Sequence, residues 1–248
     1  MRFRAGAAVT GVIAVAAVAS GLASMQDGQG EARRGDGETV LIAEGKDRRP
    51  SQTAEDWVTY ADHVVVVTAV SERETPPALI EIERGEGLTG REVTLRVDEV
   101  VWSRGGAPRA APAEWKRAST GWRFTGGSTS NRTKMAMRDQ PRVETGHRYI
   151  LALDWEEAKC SPGDEPEPAQ WHTLGEGAVV PYDNNIIGEG EMEGRYLQAT
   201  QPRAETGPDV RLEDQLAGLS ADELAKALTA AKPAQTVQPG SAAVADCG

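Results

Sequence analysis

Residues 60–72, Tyr60-Ala-Asp-His-Val-Val-Val-Val-Thr-Ala-Val-Ser-Glu72, decide the fold. From Val64 to Val70 the run is apolar at every position but Thr68 and rich in β-branched side chains. That composition predicts a strand buried on both faces. Just upstream, Thr53-Ala-Glu-Asp56 sets a hydroxyl and a carboxylate at capping-box spacing, which predicts a short helix over 54–61 carrying Trp57 and Tyr60. Asp62 and His63 fall where the strand begins. Neighbours on an extended chain point to opposite faces, so the two are expected as a polar strand start and not as a bonded catalytic pair.

Working outward, Leu79-Ile-Glu-Ile-Glu83 alternates and predicts a strand, with residues 85–90 turning the chain. In the stretch 91–102, Val93, Leu95 and Val97 keep period two, but the apolar set moves to Val100 and Trp102 after Asp98-Glu99. One residue too many has entered the period, the mark of a β-bulge. Residues 122–124, 149–155 and 177–182 supply further short strands, and Val40-Leu-Ile-Ala43 a shorter one. Ser220 and Glu223 have capping-box spacing, with Leu219 and Leu224 at staple positions, so a helix is expected over 221–231. The fold class is mainly β: a small antiparallel barrel with a short N-terminal helix and a C-terminal helix packed on it. Six tryptophans are expected to fill its core.

The chain opens Met-Arg-Phe-Arg and then runs uncharged from Ala5 to Gln26, the pattern of a secretory signal over 1–23 that is cut after Ala19 or Ala23. Residues 24–52 are expected as linker, 53–231 as the folded domain and 232–248 as a flexible tail. The expected location is secreted, or at the cell surface if the leader is kept. The two cysteines, Cys160 and Cys247, are expected to pair outside the cell. Such a bridge contributes roughly 4–5 kcal/mol in the chain-entropy picture.

Taken in order, the motifs ADHVVVVTAV, the bulged REVTLRVDEVVW, GWRF, GHRYILALDW and LGEGAVVPYDNN span about residues 53–190. This pattern resembles exported actinobacterial proteins whose barrel looks like an oligonucleotide/oligosaccharide-binding (OB) or tissue-inhibitor-of-metalloproteinase-like fold. The resemblance implies an OB-like barrel. Inhibitors with that barrel chelate the target enzyme's metal through an N-terminal cysteine; this chain has no cysteine before Cys160, so the mechanism is not carried over.

No hydrolase elbow, metalloprotease helix or phosphate-binding glycine loop is present, and no cofactor or metal is implied. His63, His147 and His172 lie on separate predicted elements, and with Asp154 they are the residues a hydrolase would use. Asp183-Asn-Asn begins like a calcium loop, but Ile187 and Gly194 stand where ligands are needed. Glu189, Glu191 and Glu193 are expected on a solvated strand edge. The one feature above background is charge. Between Arg104 and Arg148 ten bases face only Glu114, Asp139 and Glu144, in a chain of formal net charge −11. Arg117, Arg123, Arg132, Lys134, Arg138 and Trp115 are therefore the candidate contact residues for an anionic partner. The competing reading is that these bases neutralise acids of the same molecule. The sequence thus supports an exported, non-enzymatic binding module, its partner a cell-envelope polymer or an extracellular protein rather than nucleic acid, with membrane contact only through an uncleaved leader. An enzyme inhibitor and a hydrolase with an unfamiliar site are the alternatives.

Overall fold

The computed structural model describes residues 31–35, 38–45, 47–160, 167–199 and 210–235. The leader, the tail and Cys247, the expected partner of Cys160, lie outside them. In chain order the elements are β1 (Glu31–Gly35), β2 (Glu38–Ala43), α1 (Ala54–Tyr60), β3 (His63–Thr75), α2 (Leu79–Arg84), β4 (Gly87–Ser103), β5 (Glu114–Thr125), β6 (Ser128–Met137), β7 (Arg148–Glu156), β8 (Gln170–Thr173), β9 (Val179–Pro181), β10 (Gly190–Met192), β11 (Arg195–Leu197), α3 (Leu212–Leu216) and α4 (Ala221–Ala230). The protein is mainly β with few helices. One sheet carries the order β1-β2-β6-β5-β4-β3-β7-β8, with β9 pairing β7 as well. It is mixed, because β2 runs parallel to β6, and among the described residues it does not close into a barrel.

The valine run does what its composition dictates from Val64 to Val67 and at Ala69, while Val70, expected inside, is 42% exposed. Val64 and Val66 point to one side, where Trp57, Ile150, Ala152, Leu224 and Leu228 form a core under α1 and α4. Val65, Val67 and Ala69 point to the other, among Val93, Leu95, Tyr149, Leu151, Leu153 and Trp171. Both faces are therefore closed to water, and each buried valine contributes about 1.5 kcal/mol or more. The bulge also falls where the period breaks. Val66 pairs Glu99 and Val67 pairs Val97, leaving Asp98 over in β4. α1 begins at Thr53 with the full capping box, Asp56 accepting from the Thr53 amide at 2.9 Å and donating its own amide to Thr53 Oγ1 at 3.1 Å.

Besides the antiparallel barrel, which the parallel β2–β6 pair and the open sheet replace, three expectations change. Leu79–Glu83 is helix, not strand: Glu81 Oε2 accepts from the Ala78 amide at 2.9 Å, and Gly85 at φ 75° ends the helix in a left-handed cap. Ser220 starts α4 but makes no side-chain cap; the Ala221 amide donates instead to the Tyr182 hydroxyl at 3.0 Å, and Glu223 takes Lys226. Within 24–52, read as linker, β2 joins β6 with Val40 and Ile42 buried, and Ser51 is sealed beneath Gly177. Gly121 has its own reason to be glycine. It is the extra residue where β5 slips against β4, and a Cβ there would lie 2.2 Å from the Thr89 carbonyl oxygen.

Candidate functional site

The basic segment lies on β5, β6 and the loops around them, and most of its charge is met within the fold. Arg132 holds Glu74 at 2.6 Å, Arg138 holds Glu44 at 3.0 Å, and Lys134 approaches Glu144 at 3.4 Å. Lys116 and Arg123 reach Glu92 and Glu86 at 3.7 and 4.0 Å. Arg104 pairs with Asp62, and Arg148 lies 3.7 Å from Asp98. Trp122 sits among these bases, with the Arg132 and Arg142 guanidiniums 4.2 and 4.9 Å from its ring centre. Trp115 is half-buried against the second core. The residues chosen as a contact face are thus brought near one another, but with their acids beside them.

Behind this surface lies an inner set of arginines that the sequence does not announce. Arg91 is buried and bonds the carbonyls of Thr120, Arg142 and Val143 besides the Glu72 carboxylate. Arg142 is buried too, and it bonds the Met135 and Gly121 carbonyls at 2.8 and 3.0 Å and Glu144 at 2.8 Å. Burial and then the like charge of Arg91 pull Arg142 below its usual pKa, with Glu144 opposing.

The loop that carries Arg142 is held from the other side by Glu191. This carboxylate is 2% exposed and accepts from the amides of Arg142 and Val143 at 2.9 Å, of Gly194 at 2.6 Å and from the Tyr149 hydroxyl at 2.9 Å. Four donors on one buried carboxylate keep Val143 at φ 62°, a backbone conformation that a β-branched residue rarely adopts. Burial, and then the Glu191 charge, drive the Tyr149 phenol far above its ordinary pKa, so it stays a donor. The expectation of a solvated glutamate edge therefore fails at Glu191 and at Glu193, which is also buried and accepts from the Asp139 amide.

The histidines do not converge. His63 Nδ1 lies 2.8 Å from Ser103 Oγ, and Nε2 lies 2.7 Å from the Arg109 carbonyl oxygen. Because that carbonyl can only accept, Nε2 carries the hydrogen and Nδ1 accepts from the exposed Ser103 hydroxyl. Asp62 is on the opposite side, bonded to Arg104 and the Trp155 amide, as the strand geometry requires. His147 meets Asp183, and His172 stands 3.1 Å from Glu156, with burial and then Arg48 holding its imidazole below the usual range. Asp154 takes Arg49 at 3.1 Å, and burial raises its pKa against that pairing. Among the described residues no three acids, histidines or cysteines gather as a metal site, and no helix is long and apolar enough to cross a membrane.

The largest anomaly on the outside is apolar. Leu79, Ile80 and Ile82 of α2 are 78%, 59% and 49% exposed, and Leu88 at the start of β4 is 49% exposed. They cap the far end of the β3–β4 hairpin in a chain whose mean hydropathy is −0.46. No family model, no curated protein and no solved structure matches the chain.

Proposed function

We propose that the protein is an exported, non-enzymatic interaction module that presents the α2 tip to a protein partner. The observation that carries this reading is the exposed Leu79–Ile80–Ile82–Leu88 patch. Leaving four large aliphatic side chains together in water costs stability that nothing in the fold returns, and such patches mark contact surfaces. Of the five acids between Glu72 and Glu86, Glu72, Glu74 and Glu86 already meet Arg91, Arg132 and Arg123, which leaves Glu81 and Glu83 on α2 as the charge beside the patch, so its partner is a protein offering an apolar cleft with a basic rim. The leader over 1–23 and a Cys160–Cys247 bridge belong to the same proposal. The basic segment enters it as internal charge balance, since its ion pairs are already made.

A photo-crosslinking residue at Ile80, expressed in the exporting host, is expected to give one protein adduct that is absent when the same residue replaces Lys226 on α4. Adducts from neither position, or equally from both, would remove the tip as a docking surface. The Ser103–His63 hydrogen bond is the one observation favouring a hydrolase. The interaction reading expects a fluorophosphonate probe to leave Ser103 unlabelled; stoichiometric labelling that His63→Ala abolishes would replace it with a serine hydrolase.

A further inference from the structure

The three inner arginines are not alike. Arg91 and Arg142 have their acceptors around them, whereas Arg117 on β5 has its Nη1 sealed from water with no hydrogen-bond partner among the described residues. Arg117 pairs in register with Val93, on the face that also carries Trp115 two residues before and Ser119 two residues after. Trp115 packs against the second core on that face, which fixes the side to which all three project. The charge that Arg117 feels most is Arg91, which repels it. Burial is the main cause that lowers its pKa, to about 10, and it therefore remains a cation at neutral pH. A half-buried cation with a sealed nitrogen beside a second cation, with no acid of its own among the described residues, lacks a counter-charge.

We infer that Arg117 anchors a binding site for an oxyanion, a carboxylate or a phosphate group, on the inner face of β4 and β5. The planar guanidinium offers paired donors to two oxygens of such a group. The Ser119 hydroxyl, on the same face, adds a neutral donor, and the half-buried indole of Trp115 supplies the apolar wall against which the body of the ligand rests. Arg117 as a residue keeps part of its surface in solvent while its Nη1 is sealed, so a bound group enters by displacing the side chains that cover that nitrogen. The site is independent of the α2 tip and does not need the interaction reading to hold.

The test is thermal unfolding of the full mature chain in chloride buffer and in inorganic phosphate, acetate or polyphosphate at constant ionic strength. Wild type is expected to gain several degrees in a saturating manner with at least one of these anions, and Arg117→Met to lose that gain. Arg117→Met is also expected to melt higher than wild type in chloride alone, because it removes an unmatched charge and keeps the volume. Arg117→Lys keeps the charge without the fork, so its response is expected to need at least tenfold more anion. Response to polyphosphate at lower phosphate equivalents than inorganic phosphate assigns a polymer-borne group; equal response assigns a free anion. No saturable gain with any anion, or a gain that Arg117→Met retains, overturns the site.

Discussion

Glu191→Gln is the substitution that tests the inner architecture most sharply. Oε1 accepts from the Arg142 and Gly194 amides, and Oε2 from the Val143 amide and the Tyr149 hydroxyl. A glutamine is almost the same size, but one of its two positions becomes an NH2 that can only donate. Placed at Oε1 it confronts two backbone amides. Placed at Oε2 it can turn the tyrosine hydroxyl around, yet the Val143 amide still loses its acceptor. Each buried donor left unpaired costs about 1–3 kcal/mol, so the variant is expected to lose about 2–4 kcal/mol overall. For a domain of this size that lowers the melting temperature by about 5–15 °C. Urea unfolding gives the free energy, and hydrogen exchange of the Arg142 and Val143 amides gives the location, since both should lose protection before the β3 amides do. The consequence reaches the anion site, because the loop supplies two of the carbonyls that hold Arg91 beside Arg117. A Glu191→Gln protein within about 0.5 kcal/mol of wild type, with those amides still protected, would show that the carboxylate is not what holds the loop.

Glu213, on α3, has its carboxyl pushed up to about 7 by burial, with Arg211 opposing and Asp214 and Asp139 adding. A raised carboxyl binds its proton more tightly folded than unfolded, so its contribution is full below about pH 4.3 and is lost as pH rises through 7. Glu213→Gln is therefore expected to be near neutral at pH 4 and more stable than wild type by about 1–3 kcal/mol at pH 8; the same difference at both pH values would refute the assignment. Gly121→Ala is expected to cost at least about 2 kcal/mol, because its Cβ would overlap the Thr89 carbonyl oxygen and only a slip of β5 on β4 relieves that. Full stability of that variant in urea would mean the bulge is not built as described.

What could be read from the sequence was whatever depends on near neighbours along the chain. Val64 to Val67 of β3 show their burial because four adjacent residues carry the same message, and the Asp98 bulge shows itself as a single break in a period. Leu79–Glu83 misled because five residues fit period two and period 3.6 about equally. The deciding marks were Pro77 shortly before the segment and Gly85 after it, with Glu81 placed to cap its own first turn. Glu191 was not legible, since the Val143 and Arg142 amides it accepts lie 48 and 49 residues away and a glutamate in the acidic, glycine-rich run 188–194 looks like solvent-facing chain. Nor was the inward turn of Arg117, because Lys116-Arg117 offers no sign of which base faces the core.

The charge block between Arg104 and Arg148 follows from strand order and is not a free polyanion surface. Bases gathered on β5 and β6 are far in sequence from the acids of β3 and β4, and the sheet sets β5 beside β4. Lys116 thereby finds Glu92, and Arg132 on β6 reaches Glu74 on β3 although β5 and β4 stand between them in the strand order. Exposed pairs of this kind contribute about 0–1 kcal/mol each, and salt weakens them, so they set register and solubility more than stability. The inner face is a different matter. There water cannot screen, each guanidinium must be matched, and Arg91 and Arg142 are matched by Glu72, Glu144 and backbone carbonyls. Arg117 alone among the three breaks that rule. A segment that is paired where pairing matters little, and unpaired where it matters most, has its binding capacity on the inner face of β4 and β5 and not on its charged exterior.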